Sequence, residues 1–245
     1  MNENLRYFEN RTPALQTQDA ETPQVWYVED EDLTLFTTYT EDNMEVIPVT
    51  DSEGNIELKV VTDCLKFTST GDSEIRIVGS GKDIKYSYDR ITWNKLLYGI
   101  NHPIRLSDGE FIYLKGNNRT LYGLQFMMSG SISASGNIMS LIDDGLCGTG
   151  PMGSSSFEQL FKDCSALTSA PYLPATTLTD YCYSEMFSGC TSLTSLTCKA
   201  TDISANYALY LWLSGISTNG ILYVDPSMIS AAWNIPSTWT IQVIS

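Results

Sequence analysis

The sequence has little of what most enzymes and nucleic-acid binders are built from. It contains one histidine, His102, in 245 residues. Any Ser/His/Asp or Cys/His mechanism has to pass through that residue. His102 precedes Pro103, which biases it toward an extended loop conformation, and no GxSxG-type nucleophile turn accompanies it. Lysine and arginine number 14 against 29 acidic residues, for a formal net charge of −15. Phosphate binding needs clustered basic side chains, so this balance argues against nucleic acid as a partner. There is no run of about 18 apolar residues, so no membrane-spanning helix is expected. The first residues show no basic stretch followed by an apolar one, so no secretory signal is expected. "GSGK" at Gly79–Lys82 lacks the Ser/Thr and the spacing of a phosphate loop.

Cysteine is present but not in a ligand pattern. Cys64, Cys147, Cys164, Cys182, Cys190 and Cys198 form no CxxC pair and no Cys/His zinc spacing. Disulfides or a metal site would be the functional reading; small buried hydrophobes at repeat positions is the better one. No metal and no cofactor is expected. The acidic turn "DSEGN" at Asp51–Asn55 invites a calcium reading, but its Gly comes too early for an EF-hand loop. Carboxylate pairs such as Glu29 with Asp32, and Asp143 with Asp144, leave a glycoside hydrolase as a distant alternative. Acid runs are more often solvated faces.

Charge divides the chain unevenly. Residues 1–63 carry 15 acidic and 3 basic side chains, residues 64–150 carry 8 and 9, and the remainder 6 and 2. The first segment, 1–63, starts polar and then shows strand-like runs, "QVWYVE", "LTLFTTYT", "MEVIPVT" and "NIELKVV". It reads as an acidic anchoring or assembly segment. The second, 64–142, has short runs such as "EIRIVG", "IKYSYD", "FIYLKG" and "LYGLQFMM" between glycine-rich turns. Short strands with turns every 8 to 12 residues predict an antiparallel β-sandwich.

The third segment, 143–245, writes one phrase twice. "FKDCSALTSA" from Phe161 returns as "FSGCTSLTSL" from Phe187, a step of 26 residues that also carries Cys164 to Cys190 and Leu167 to Leu193. Upstream, Phe157 maps to Tyr183 and Leu160 to Met186. A weaker third copy maps Tyr181 to Tyr207, Met186 to Trp212 and Gly189 to Gly215. "SSSFEQLF" and its counterpart "YCYSEMF" predict a short capped helix or helical turn in each unit. A period of 20 to 29 residues fits a leucine-rich repeat, in which a short strand alternates with a helical or irregular return. One unit cannot bury its apolar face alone, so matching positions of neighbours form ladders. Tyr172, Tyr181, Tyr207 and Tyr210 are candidate binding residues on this stack, because tyrosine offers a large contact area at low entropic cost. Packing is the competing role for these aromatics.

"LFKDCSALTSA" and "MFSGCTSLTSL" resemble the phrase of BspA-like leucine-rich repeats from gut Bacteroidales and their phages. "ILYVDPSMISAAWNIPSTWTIQVIS" resembles their C-terminal cap, a strand, a short helix ending near Trp233 and a last strand. "IKYSYDRITWNKL" and "SGNIMSLI" are similar to the sandwich that often precedes such repeats. The resemblance implies adhesion or molecular recognition without catalysis. Two settings follow: a phage virion protein (head fibre, decoration or tail-associated) assembled in the host cytoplasm, or a bacterial cell-surface adhesin. The absent export signal favours the virion. The expected partners are other virion proteins or sister subunits through residues 1–63, in a homo-oligomer, and a host-surface glycan or protein through the repeats.

Overall fold

The computed structural model describes residues 45–50, 56–61, 64–90, 92–144 and 152–244. The acidic runs before Glu45, the turn at Asp51–Asn55 and Cys147 lie outside them. The chain is mostly β and folds as two compact units, Met1–Thr62 and Asp63–Ser245. In the first, β1 (Glu45–Thr50) and β2 (Ile56–Val61) pair antiparallel, from Glu45 opposite Val61 to Thr50 opposite Ile56.

The second unit opens with the alternation that a half-buried strand requires. In β3 (Leu65–Ser69) Leu65, Phe67 and Ser69 point inward, and in β4 (Ser73–Val78) Ser73, Ile75 and Ile77 do. There follow β5 (Ile84–Ser87), β6 (Asn94–Lys95), β7 (Ile104–Leu106), β8 (Phe111–Gly116), β9 (Gln125–Ser129) and β10 (Ile132–Ser135). They form two sheets, one ordered β10-β3-β8-β5-β6 and one ordered β7-β4-β9, with every pairing antiparallel. The sheets meet through Phe67 of β3 and Phe126 of β9, whose rings stand edge to face at 5.2 Å. A 3-10 turn at Ile138–Leu141, capped by the Asn137 side chain, closes this part. Its Ser140 is buried but satisfied: the hydroxyl accepts from Leu65 N at 2.9 Å and donates to Leu114 O at 3.1 Å.

The repeat does not start a separate core. Its first strand, β11 (Leu167–Ser169), joins the larger sheet as a parallel neighbour of β10. Backbone amides of Leu121, Phe126 and Ile132 donate to the carbonyls of Ser156, Leu160 and Ala166 at 2.8–2.9 Å. The segment from Leu121 to Ile132 thus serves as the layer beneath the first repeat unit. Phe126 stacks on Phe161 at 5.1 Å and Phe161 on Phe187 at 5.4 Å, a continuous pile of rings. Further on, β12 (Ser195–Cys198), β13 (Gly220–Val224) and β14 (Trp239–Val243) form a parallel three-stranded sheet.

Of the short capped helix or helical turn predicted in each unit, the helix is not formed. Residues 154–163, 180–189 and 206–215 are each a ribbon of overlapping turns, and the described residues contain no α-helix. Within a ribbon, alternate amides close turns onto the carbonyl three residues back, as Leu160 does to Phe157 and Met186 to Tyr183, at 3.1–3.2 Å. The amides between them point out of the ribbon. Those of Ser155, Phe157, Gln159, Phe161 and Asp163 donate to Asp180, Cys182, Ser184, Met186 and Ser188 of the next ribbon. Tyr181, Tyr183, Glu185, Phe187 and Gly189 repeat this onto Asn206, Ala208, Tyr210, Trp212 and Ser214, and all ten bonds are 2.7–3.0 Å. An α-helix spends every interior amide on itself and has none left for a neighbour. The ribbon instead has positive φ at every fourth residue: Ser155, Gln159, Asp163; Tyr181, Glu185, Gly189; Tyr207, Leu211, Gly215. The predicted helix ending near Trp233 is likewise a 3-10 turn, Pro226–Met228, capped by the Asp225 side chain.

Candidate functional site

Stacking fixes which side chains the ribbons bury. Phe157, Leu160, Phe161 and Cys164 are buried in the first, Tyr183, Met186, Phe187 and Cys190 in the second, and Leu209, Trp212, Leu213 and Ile216 in the third. The Cys164 thiol donates to Phe126 O at 3.2 Å and the Cys190 thiol to Phe161 O at 3.0 Å, the same contact one layer apart. All five described cysteines are buried, and Cys164, Cys182, Cys190 and Cys198 form no disulfide. Burial pushes the thiols up, Cys182 to about 11 and Cys190 and Cys198 to about 12. A thiol held neutral in this way is a poor nucleophile and a poor metal ligand. The Tyr183 hydroxyl is buried without a hydrogen-bond partner among the described residues, and burial raises it well above the ordinary phenol range.

The outward positions of the ribbons change from layer to layer. At the Leu211 position the first two layers are polar and tied together: Gln159 Nε2 donates to Glu185 Oε1 at 2.9 Å, and the Lys162 ammonium pairs with the other Glu185 oxygen. The Lys162 bond holds the Glu185 carboxyl below its ordinary range. In the third layer the outward residues are Tyr207, Tyr210 and Leu211, 59%, 49% and 47% exposed. Tyr181, directly below Tyr207 in the column, stacks on it at 5.1 Å with the rings 16° from parallel. Tyr210 meets Tyr207 edge to face at 5.8 Å. Three of the four tyrosines singled out in the sequence therefore form one exposed cluster. Tyr172 belongs to the strand side of the unit, where it bridges to Asn137 and is partly buried.

Two further properties mark this surface. The alternate amides of the third ribbon, at Tyr207, Leu209, Leu211, Leu213 and Gly215, have no hydrogen-bond partner among the described residues. They occupy the positions that face the next layer in the first two ribbons. Sequence reasoning missed this donor row, although the missing fourth copy of the phrase is its signal. Second, no side chain from Ile203 to Val224 is charged. The aromatic residues on the outer face of the larger sheet differ: Lys66 lies 4.2 Å over Phe111, Arg90 4.2 Å over Tyr113, and Lys115 4.5 Å over Trp93. Those rings are already engaged by the chain's own cations.

The remaining candidates are scattered. His102 is exposed in the loop before β7, with its amide closed onto Gly99 O at 3.2 Å. Asp144 lies 4.0 Å from Lys85. Among the described residues no three His, Cys, Asp or Glu side chains converge as a metal-ligating set, and no helix is long and apolar enough to cross a membrane. No family model, curated protein or solved structure matches the chain.

Proposed function

We propose that this is a non-catalytic recognition protein, an antiparallel β-sandwich followed by a short BspA-like leucine-rich-repeat stack and cap, that binds through the last ribbon. The observation that carries the reading is the Tyr181–Tyr207–Tyr210 cluster, exposed and stacked beside amides that have no partner among the described residues, on a charge-free unit. Rigid aromatic rings lose little entropy on binding, and free N–H groups reward a partner that brings oxygen acceptors. Both features suit a glycan or a protein loop on a cell surface. The setting we propose is a phage virion, as a head fibre, decoration or tail-associated protein, with residues 1–63 joining it to the particle. The likeness of its repeat phrase to those of gut Bacteroidales and their phages supports that setting.

The test is binding of labelled protein to intact gut Bacteroidales cells and to their extracted surface polysaccharide. Replacing Tyr181, Tyr207 and Tyr210 with Ser should lower binding about tenfold or more at unchanged melting temperature, since aromatic anchors dominate such surfaces. His102→Ala should bind like the parent. Equal binding by the triple variant, or loss of activity in His102→Ala alone, would remove this reading.

A further inference from the structure

Among the described residues nothing covers the end of the cap's strand sheet. β14 is the last strand of its sheet. Ile244 donates to Val224 O of β13 at 2.9 Å. Along a parallel strand, successive residues turn their N–H and C=O to opposite sides. Thr240, Gln242 and Ile244 therefore address β13, while Ile241 and Val243 address the open side. Among the described residues Ile241 and Val243 have no backbone partner there.

Natural edges are blunted by charge, proline or a bulge. β14 has none of these. "WTIQV" is uncharged and proline-free, and its register with β13 runs unbroken from Gly220–Trp239 to Val224–Val243. Side chains paired in register share a face, so Ile241 and Val243 continue the core face of Leu222 and Val224. Leu222 and Val224 are fully buried, whereas Ile241 is only partly buried and Val243 is 44% exposed. The apolar face therefore continues past the described residues that cover it.

We infer that β14 pairs antiparallel with β14 of a second copy of this chain across a two-fold axis at Gln242. Ile241 then lies opposite Val243 of the second copy and Val243 opposite its Ile241, each pair exchanging both N–H and C=O. The two three-stranded sheets become one sheet of six, and the four apolar side chains cover one another. An edge strand presents donors and acceptors alternately, so it is complementary to itself. Among the described residues the free edge of the third ribbon presents donors only, and four of the five corresponding carbonyls at the other end of the stack are taken, Ser156 and Leu160 by the amides of Leu121 and Phe126, and Ser154 and Lys162 by the side chains of Thr120 and Gln125; stacking ribbon on ribbon is thereby closed to a second copy. Charge permits the approach. The chain carries −15, but from Ile203 to Ser245 its one charged side chain is Asp225.

The experiment is sedimentation or light scattering of the full chain up to about 100 μM, the range in which modest interfaces associate. The parent should give a dimer, or a larger assembly whose mass halves in Val243→Lys, with the variant's dissociation constant raised roughly tenfold or more by the edge charge. Circular dichroism and melting of Val243→Lys should match the parent. Gln242→Cys, treated with diamide, should form a disulfide-linked dimer, because residues facing across the axis lie within disulfide reach. A monomeric parent, an assembly unchanged by Val243→Lys, or a Gln242→Cys protein that does not cross-link would overturn the proposal.

Discussion

Gly189 and Leu211 share a left-handed backbone, at φ 79° and 48°, yet opposite responses to mutation are expected. A Cβ on Gly189 would lie 3.1 Å from Asp163 Cα and against the Asp163 carboxylate of the ribbon below. Gly189→Ala should therefore cost about 2 kcal/mol, through steric overlap added to strain. Leu211 already tolerates its φ with an exposed side chain, so Leu211→Gly trades relief of strain for a more flexible unfolded chain. Its stability should stay within about 1 kcal/mol of the parent. Urea unfolding of the two variants checks both. The thiols make a second residue-scale case. Their folded pKa values are raised, about 11 for Cys182 and about 12 for Cys190 and Cys198, against about 8.5 in an unfolded chain. The folded state then holds more protons at alkaline pH. The contribution is complete below about pH 8 and is lost as pH rises from there through about 12. The melting temperature should fall steadily above about pH 8.5, and less steeply in Cys190→Ala; a flat profile would contradict the buried-thiol assignment.

The ribbon is the element on which sequence and structure part. Phe161/Phe187, Cys164/Cys190 and Leu167/Leu193 are legible as ladders from their 26-residue step, and all six are fully buried. The conformation between them is not. Apolar residues at Phe157, Leu160, Phe161 and Cys164 fit a helical period of 3.6, and over so short a stretch they fit a turn period of four equally well. The distinguishing signal is the column Asp163/Gly189/Gly215, residue types that favour positive φ in turns. The layer beneath the repeat was hidden for another reason: Phe126 lies 35 residues before Phe161, off the repeat step, so only the fold reveals it as a rung. That shared pile gives the element-scale expectation. Phe161→Ala should cost about 3–5 kcal/mol and shift one cooperative transition of residues 64–245. Separate melting of sheet and stack would mean that the two cores are independent.

On the scale of the molecule, the acidic charge lies toward the N-terminus and the last repeat unit is neutral, aromatic and open. The tyrosine column was readable, because Tyr181 and Tyr207 are one repeat step apart. The separate position of Tyr172 was not, since it depends on which residues face the strands and which the ribbons. The central claim is that the repeated phrase builds amide-linked ribbons and that, among the described residues, nothing links to the outer edge of the last one. Residue-resolved amide hydrogen exchange tests it most directly. Gln159, Phe161, Glu185 and Phe187 should be protected along with their neighbours Leu160 and Met186. In the third ribbon Tyr210 and Ser214, which close turns, should be slower than Tyr207, Leu211 and Gly215, which should exchange quickly. Uniform protection from Tyr207 through Gly215, as in a helix or a covered layer, would contradict the account.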